Sequence, residues 1–593
     1  MKPIRIALIC NVGFKADWYP LGISMLKENL ERCTNVGVDN YYLSSEFSWY
    51  IDRYYPQLSE INAEIGEEGN CYHEIYFSTK LFNHGDPQAL IERVILDECN
   101  AKDIYRVRLG KRTHLLKIPL SQRYFLGCVL QYCALLDSFI AKKVAETNWG
   151  KYRLVGFSCL SSQLLCSVYM AKTIRQLGWK NKIVFGGGMF RQWNVSQYAQ
   201  VFSFIDKFVI GNGYEVILDM IRMGTPSLKV YSNGVQNHCG DFSDVPRKVL
   251  RSHHFVFPLQ LSDYCPWGKC LFCSIQPGHK RKISCETVYE WLISTSKQYG
   301  ETVFGFVDSN LNGNREEFEK LCSALAQTDV KLHLYGMLNT RDLTKQLCID
   351  MKAAGFSRVL LGVENFSNGL LSRMKKGSTV LDNIKALKWL IEAGINEIIF
   401  NIIIDFPGTN TSIIKENIEK IKMIKHLITG NVQCDLLELG LERDAKIYSL
   451  RSKMNFRGVG NYKFDEICYP DKMRHALKFH TSKYRWFNFA RGWDVVRSNL
   501  KNKRRSRLQA VRKNGHFIIC DDRIKKATYP LSDDQFAIYQ YICDNVSTID
   551  DISNELRIDK WKVKASLDHF ASVGVAISEK NRYLGLALIK TKC

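Results

Sequence analysis

Three cysteines, Cys265, Cys270 and Cys273, stand close together in the order C-x4-C-x2-C. A structural zinc site usually takes four ligands at short spacings. The next cysteine, Cys285, follows only after a basic, loop-like stretch, and His279 in that stretch could supply a fourth ligand, so a zinc site stays open. Three thiolates with no obvious fourth partner favour a [4Fe–4S] cluster instead, because one of its four irons then stays open to a substrate.

This segment resembles the cluster loop of the radical S-adenosylmethionine enzymes, in which an aromatic residue precedes the last cysteine, as Phe272 does here. The usual spacing in that family is C-x3-C-x2-C. The extra residue is a departure, although family members with a cobalamin domain vary in this gap. The resemblance implies that the open iron binds the amino and carboxylate groups of S-adenosylmethionine, with Phe272 near the adenine.

The chain after residue 246 alternates strand and helix patterns in a way that predicts how this loop is positioned. Six strands, five of them followed by helices, are typical of a parallel, partly closed (β/α)6 barrel that resembles a TIM barrel, with its chemistry at the carboxyl ends of the strands. The predicted strands are residues 255–262, Val303–Val307, Lys331–Leu338, Arg358–Val363, Ile398–Ile404 and Val432–Leu439. That rule gathers the cluster loop, Asp308-Ser309-Asn310, Glu364, Asn401 and Pro407-Gly408 onto one face.

The family resemblance continues through this segment, on Gly362–Ser367, Met374–Gly377 and Asn401–Gly408. It implies a binding site for S-adenosylmethionine in which several of these residues take part. In that site Asp308, Ser309 and Asn310 hold the methionine amino group, Glu364 holds the ribose hydroxyls, Asn401 lies on the fifth strand, and Pro407 and Gly408 lie by the adenine. Taken alone, Asp308 could cap the following helix, and Glu364 could be a surface charge.

Residues 1–245 alternate in the same way and predict a Rossmann-like, doubly wound domain. The predicted strands are Ile4–Cys10, Leu154–Ser158, Lys182–Phe185 and Lys207–Ile210. Polar or glycine-rich turns follow the last three, and in such domains a ligand sits over the strand ends. Glycine at these positions lets a backbone approach a bulky ligand closely.

These turns resemble those of the cobalamin-binding domain found ahead of many radical S-adenosylmethionine domains. The resemblance implies that cobalamin contacts Ser158, Ser162, Gln163, Gly186, Gly187, Gly188, Gly213 and Glu215. The D-x-H-x-x-G motif, which supplies a lower axial histidine in many cobalamin proteins, does not occur in this sequence, so we expect no protein histidine on cobalt. A doubly wound domain that holds a nucleotide, or nothing, is the alternative.

The remaining segments frame these two domains. Residues 41–150 are aromatic and mostly helical, with the clearest helix at Phe125–Val144, and they predict an insertion that covers one side of the first domain. Residues 448–510 are predicted to be mostly helical and basic, with aromatic side chains that pack onto the barrel mouth. Residues 511–593 predict three short helices and a hairpin, a winged-helix shape. The alternative for this last part is a structural cap.

Composition limits the class of protein. At 593 residues the chain should hold roughly three or four domains. A hydrophobic fraction of 46% with 24% charged residues is ordinary for a globular protein. No apolar run approaches the roughly 20 residues of a membrane span, the beginning of the sequence lacks a signal-peptide cleavage pattern, and 20 scattered cysteines suit free thiols in a reducing cytoplasm.

The formal net charge of +22 is partly concentrated in Arg497–Lys513. Such a run is commonly a solvated helix face or linker, and it could also form a groove for an acidic peptide or, less favourably, nucleic acid. We expect it, with the winged-helix segment, to recruit substrate rather than take part in chemistry.

Nearly the whole chain resembles cobalamin-dependent radical S-adenosylmethionine enzymes, most of all the branch that modifies ribosomally made peptides, often by C-methylation. The resemblance implies that a 5′-deoxyadenosyl radical removes hydrogen from an unactivated carbon, which then takes a methyl group from methylcobalamin. It also implies a peptide or small-molecule substrate, with an acidic leader peptide as one candidate, and a flavodoxin- or ferredoxin-like electron donor, with no membrane partner. Two alternatives stay open: the same cofactors could drive radical cyclisation or rearrangement, or the chain could be a non-catalytic protein that binds peptide or nucleic acid.

Overall fold

The computed structural model describes residues 4–13, 20–59, 72–98, 106–109, 112–115, 122–191, 194–222, 239–245, 256–275, 282–300, 302–428, 430–454, 456–460, 463–476, 481–485, 490–501, 506–513 and 516–590. The chain divides into two compact units. The first is formed by Met1–Leu259 and Gly460–Ser482, and the second by Gln260–Val459 and Lys483–Cys593.

A five-stranded parallel sheet lies at the centre of the first unit, as predicted for a Rossmann-like domain. Its strands are β1 (Ile4–Cys10), β2 (Val36–Tyr42), β3 (Leu154–Ser158), β4 (Lys182–Gly186) and β5 (Lys207–Phe208). They are arranged in the order β2-β1-β3-β4-β5. Strand β2 was not predicted, because at the sheet edge its residues alternate between buried and half-buried instead of forming an apolar run.

The inserted segment is helical, as predicted, and packs on this sheet. Ala7 and Ile9 of β1 share one buried cluster with Phe47, Phe77 and Leu136 of the insertion. The segment also contains a hairpin that was not predicted, Arg106–Leu109 paired with Arg112–Leu115. The helices of the first unit are Leu21–Cys33, Leu43–Tyr54, Pro56–Ser59, Tyr72–Phe82, Pro87–Glu98, Gln122–Glu146, Leu164–Gln176, Val195–Val201, Gly213–Arg222, Lys463–Cys468 and Asp471–Ala476.

One helix among the described residues, Arg123–Glu146, is long and apolar enough to cross a membrane by length and composition. The expectation that no segment approaches such a length therefore does not hold for this helix. Its inner stripe, with Cys133, Leu136 and Ile140, is fully buried in the cluster that covers the sheet. The core helix of a globular domain has the same composition.

The predicted barrel sheet is present, and all but its first strand belong to the second unit. Its strands are β6 (Val256–Leu259), which ends at the boundary between the units, β7 (Val303–Phe306), β8 (His333–Asn339), β9 (Phe356–Glu364), β10 (Glu397–Ile404) and β11 (Val432–Glu438), in the order β11-β10-β9-β8-β7-β6. The helices that follow β6 to β10 are Cys285–Tyr299, Arg315–Ala326, Lys345–Ala353, Val380–Glu392 and Thr411–Met423. Predicted and observed ends differ by a few residues, as is usual at element termini.

The segment after the barrel departs from the mostly helical prediction. It contains helices Lys446–Ser449 and Ala490–Lys501, but also strands Arg457–Gly460 and Thr481–Arg485. Three of its aromatic residues, Trp486, Phe487 and Phe489, lie outside the described residues. The indole of Trp493 donates to Asp405 just after β10, at 2.9 Å, which agrees with packing onto the barrel mouth.

The last 80 residues have the predicted helices and hairpin. The helices are Asp533–Asp544, Ile549–Leu556 and Lys560–Ser572, and Ala576–Glu579 pairs with Arg582–Gly585. Strands Ala527–Leu531, His516–Asp521, Leu508–Lys513 and Leu588–Lys590 form a second sheet, in that order. Part of the basic run is thus strand and part helix, which corrects the helix-or-linker interpretation, while Arg504 and Arg505 lie outside the described residues.

Buried polar contacts fix this winged-helix segment to the outer helices of the barrel. Lys388, which is fully buried, donates to the carbonyl of Cys543 at 2.8 Å and pairs with Glu392 at 3.2 Å. His426 bonds to the carbonyl of Leu586 at 2.9 Å. A buried cation is stable only with hydrogen-bond or ion-pair partners, and one partner of Lys388 lies in the winged-helix segment. The segment is therefore an integral part of the second unit.

Candidate active site

The loop that carries the three cysteines follows β6 and is held by backbone and indole hydrogen bonds. The amide of Leu271 donates to the carbonyl of Met374 at 2.9 Å, and the amide of Ile447 donates to the carbonyl of Leu271 at 2.8 Å. The indole of Trp267 donates to the carbonyl of Lys375 at 2.8 Å. Segment 374–377, after β9, therefore sets the position of the cysteine loop.

Trp267 occupies the longer gap of the cysteine motif and packs against Gly377. A Cβ atom added to Gly377 would lie 2.2 Å from the indole ring, and the backbone there has φ +79°. Only glycine satisfies both conditions without movement. The cations of Lys269 and Arg341 lie 4.9 and 4.8 Å from the centre of the ring.

The three thiols are half-buried and interact electrostatically. Burial raises the pKa of Cys270 to about 11, the ammonium of Lys376 lowers it, and Cys273 and Cys265 raise it further. Burial likewise raises the pKa of Cys273, and the Lys376 ammonium lowers it. Deprotonation of these neighbouring thiols is therefore favoured by positive charge nearby, and Lys376 supplies that charge.

Among the described residues, no three His, Cys, Asp or Glu side chains are placed so that they could hold one metal ion. This finding speaks against a zinc site built on Cys285, while His279 lies outside the described part of the chain. A four-iron cluster makes a different demand, because each thiolate binds a different iron and the sulfurs need not converge on one point.

Lys376 also forms an ion pair with Glu364, with 2.9 Å between the ammonium and the carboxylate. Both side chains are largely buried, so the alternative that Glu364 is a surface charge does not hold. Burial lowers the pKa of Lys376, but Glu364 together with Cys270 and Cys273 outweighs burial, and the pKa is raised. Glu364 has φ +61°, a strained conformation that ends β9 and turns the chain toward the 374–377 segment.

Asp308, predicted to hold an amino group, lies after β7 and does not cap the helix that follows. Its carboxylate accepts hydrogen bonds from the amides of Leu261 and Ser262, at 2.9 and 2.6 Å, and from the Ser262 hydroxyl at 3.0 Å. Burial raises its pKa to about 6, and these hydrogen bonds lower it. Asp308 thus fixes the chain just ahead of the cysteine loop.

Asn310, two residues further, faces the loop itself. Its amide nitrogen lies 3.6 Å from the sulfur of Cys265, and its amide oxygen accepts a hydrogen bond from Asn339 at 2.8 Å. Ser309 between them is half-buried. The structure therefore brings Asn310 to the cysteines and places Asp308 beneath them.

The residues predicted on the fifth strand lie within it and just after its carboxyl end. Asn401 is half-buried within β10, in register with Asp435 of β11. Gly408 has φ +97°, and an added Cβ atom would lie 2.5 Å from the guanidinium of Arg373. The Pro407-Gly408 turn therefore lies against the end of a short helix, Asn368–Arg373, that precedes the 374–377 segment.

The predicted cobalamin residues lie at the carboxyl edge of the first unit's sheet, where Ser158 ends β3 and pairs with Gly186 of β4. The side chains of Ser162 and Gln163 point to the neighbouring turn. Ser162 donates to the carbonyl of Gly13 and Gln163 donates to that of Asn11, both at 2.6 Å. These two side chains join the turns that follow β1 and β3.

Gly187 is needed for contact between two turns of the protein itself. It has φ +101°, and an added Cβ atom would lie 2.6 Å from the carbonyl oxygen of Cys159. Gly188 lies against Leu160, and Gly213 and Glu215 form the first turn of a helix, where a carboxylate is favourable.

Two residues that sequence reasoning did not select, His73 and Glu74, brace the same edge from the insertion. The Nε2–H of His73 donates to the carbonyl of Ser162 at 2.8 Å, and burial lowers its pKa to about 4. Glu74 accepts from the amides of Leu165 and Cys166 at 2.7 and 3.0 Å, and burial raises its pKa to about 7. No local sequence pattern signals this role.

Residues 259–421 match the Radical SAM superfamily. The chain is 24% identical over 177 residues to the heme chaperone HemW of Lactococcus lactis. This match covers 29% of this chain and 45% of that protein. The chain thus spans less than half of that relative's length.

Two solved structures share the fold of this chain at 12% identity. The cobalamin-dependent S-adenosylmethionine radical enzyme OxsB matches with a TM-score of 0.52 over 84% of this chain and 66% of that one. The radical S-adenosylmethionine methyltransferase TsrM of Kitasatospora setae matches with 0.51 over 84% and 90%.

Proposed function

We propose, from the premise that residues 259–421 form a Radical SAM domain, that this chain is a cobalamin-dependent radical S-adenosylmethionine enzyme. One observation carries the proposal. Three half-buried thiols lie on one loop at the carboxyl end of β6, beside the largely buried Lys376–Glu364 pair. The shared fold of OxsB and TsrM, whose structures hold cobalamin, supports the cobalamin part.

The residues of the barrel site fit its two cofactors. Cys265, Cys270 and Cys273 would hold a [4Fe–4S] cluster, with Lys376 offsetting the thiolate charge. Glu364, Asp308, Ser309, Asn310, Asn401, Pro407, Gly408 and Phe272 would surround S-adenosylmethionine. Glu364 is held in place by Lys376, and the Lys376 ammonium lies 5.9 Å from the centre of the Phe272 ring. When bound, these cofactors supply the radical that removes hydrogen from the substrate.

The carboxyl edge of the first unit's sheet fits a large, partly apolar ligand such as cobalamin, which would supply the methyl group. Leu160 and Ile210 at that edge are 42% and 46% exposed, and the space beside Gly211 is open. His73 is fully buried and bonds to a carbonyl, which supports a cobalt without a histidine ligand. The spin-resonance spectrum of the cob(II)alamin form should therefore lack the nitrogen splitting of an axial histidine.

For the substrate we propose an unactivated carbon of a ribosomal peptide or natural product, C-methylated in a reducing cytoplasm with a flavodoxin- or ferredoxin-like donor. The basic run Arg497–Lys513 supports an acidic leader peptide. Changing Arg504, Arg505 and Arg507 to Glu should weaken peptide binding at low salt and leave substrate-independent cleavage of S-adenosylmethionine intact. Unchanged peptide affinity would favour the structural-cap interpretation.

The central test is anaerobic preparation of the full chain and of the variant with all three cysteines changed to Ala. We expect an oxygen-sensitive [4Fe–4S] signal and cleavage of S-adenosylmethionine in the first and neither in the second. An intact cluster in the triple variant would refute the assignment, and absence of iron in both would favour a non-catalytic binding protein.

Analysis of the products then separates the two radical reactions. Methyl transfer yields S-adenosylhomocysteine together with 5′-deoxyadenosine. Cyclisation or rearrangement with the same cofactors yields no S-adenosylhomocysteine. A product set without it would overturn the methyltransferase part of the proposal and keep the cofactor part.

A further inference from the structure

The side chain of Asn310 has two well-defined partners at the ends of neighbouring barrel strands. Its amide nitrogen lies 3.6 Å from the sulfur of Cys265, within the range of an N–H···S hydrogen bond, and its oxygen lies 2.8 Å from the amide nitrogen of Asn339. The side chain is only 6% exposed. One donor and one acceptor of this buried amide are therefore engaged by the protein itself.

The hydrogen-bond network determines which end of the amide faces the sulfur. The oxygen of Asn339 accepts from the backbone amide of Asp342 at 3.1 Å, so its NH2 group points to Asn310. The backbone amide of Asn339 in turn donates to Asn312 at 2.8 Å. Because Asn310 accepts from Asn339, its own NH2 group must face Cys265.

We propose that Asn310 is a positioning residue for the cluster: it donates a hydrogen bond to the Cys265 thiolate and raises the reduction potential of the cluster. This inference rests on the proposed function, and it gives Asn310 a different role from the amino-group contact implied by family resemblance. Hydrogen bonds to the ligating sulfurs stabilise the more negative, reduced cluster. Ligand orientation by a neighbouring amide is a common way to tune a metal centre.

The test is a redox titration of the reconstituted, anaerobic full chain, followed by electron paramagnetic resonance. Asn310→Leu removes the donor, and Asn310→Asp replaces it with an acceptor. We expect the reduction equilibrium to become less favourable by about tenfold in Asn310→Leu, equal to about 59 mV for one electron, and by more in Asn310→Asp. Asn339→Leu, which releases the orientation of Asn310, should give a smaller shift in the same direction.

Asn314→Asp is the matched control, since it adds the same charge four residues along at a helix N-cap, and its potential should stay at the wild-type value. Wild-type potentials in both Asn310 variants would overturn the inference. Loss of the cluster from both, with retention in Asn314→Asp, would also overturn it, because Asn310 would then be purely structural. Absence of a cluster from the wild-type chain would refute the proposed function instead.

Discussion

At the scale of single residues, the polar side chains at the barrel strand ends mostly hold other parts of the protein in place. The carboxylate of Asp308 accepts hydrogen bonds from two backbone amides ahead of the cysteine loop. Lys376 pairs with Glu364 and interacts electrostatically with the thiols. Residue type and position at a strand end predict a site. The partner of each side chain depends on which loop the fold brings against it.

Gly377 gives a test of how the cysteine loop is held. Gly377→Ala should displace Trp267 and remove most cluster iron, because the added Cβ atom would lie 2.2 Å from the indole. Gly394→Ala is the control: its φ of +82° imposes a similar strain, of about 1 kcal/mol, but the nearest atom lies 3.9 Å away. Iron content and tryptophan fluorescence of both variants measure the effect. Equal iron content in both would show that the Trp267 contact does not position the loop.

At the scale of elements, both sheets place their candidate residues at the carboxyl ends of parallel strands. In the first unit the turns after β1, β3 and β4 are joined to one another by Ser162, Gln163 and Gly187. The insertion adds His73 and Glu74 beneath the same turns. The edge is therefore a connected set of turns, and a change in one displaces the others.

Gly187→Ala should weaken cobalamin binding about tenfold or more, because overpacking a contact is destabilising. The added Cβ atom would lie 2.6 Å from the Cys159 carbonyl oxygen and would displace a turn of the proposed site. Gly178→Ala is matched to it, with φ +82° and open space around it. Absorbance titration with cobalamin compares the two affinities, and melting curves report whether each variant stays folded. An unchanged affinity in folded Gly187→Ala would remove this turn from the proposed site.

At the scale of the whole molecule, the winged-helix segment is part of the second unit rather than an appended domain. Arg523 is paired with Asp521 and also donates to the carbonyls of Met423 and Gly574, at 2.6 and 2.8 Å. Glu579 of the hairpin accepts from the amide of Leu381 at 3.2 Å, at the start of a barrel helix. A substrate held by this segment would therefore be held at a fixed position relative to the barrel.

Lys388→Met tests this attachment. Removing the cation leaves the Cys543 carbonyl with the Trp389 indole, at 3.3 Å, and Glu392 with Lys345, at 3.7 Å, as their remaining partners, a loss of about 2 kcal/mol. Amide exchange in helix Asp533–Asp544 should accelerate about 30-fold if the helix opens by separating from the barrel. Lys422→Met, at an exposed lysine of helix Thr411–Met423, should leave exchange unchanged. Equal exchange in the two variants would mean that the Lys388 contacts do not hold the segment.

The sequence alone determined the repeating pattern and the chemistry of the main motif. The apolar runs of β1 and β10 and the helices between strands follow from local periodicity, so the α/β fold class and the six barrel strands were predicted. The fold class is confirmed, and residues 259–421 match the Radical SAM superfamily that the cysteine motif resembled. The C-x4-C-x2-C spacing is likewise local. The site residues are placed as described, and their roles stay predictions.

Only the tertiary structure decided what each candidate side chain contacts. Local periodicity missed strand β2 and the strands Arg457–Gly460, Thr481–Arg485, Leu508–Lys513 and Ala527–Leu531, because edge and surface strands lack a continuous apolar run. His73, Glu74 and Asn339 lie far in sequence from the residues they support, at separations of 89, 91 and 29 positions. A contact between such distant positions leaves no local periodicity, since it forms only when strands pair and bring their ends together or, for His73 and Glu74, when the helix Tyr72–Phe82 packs on the sheet.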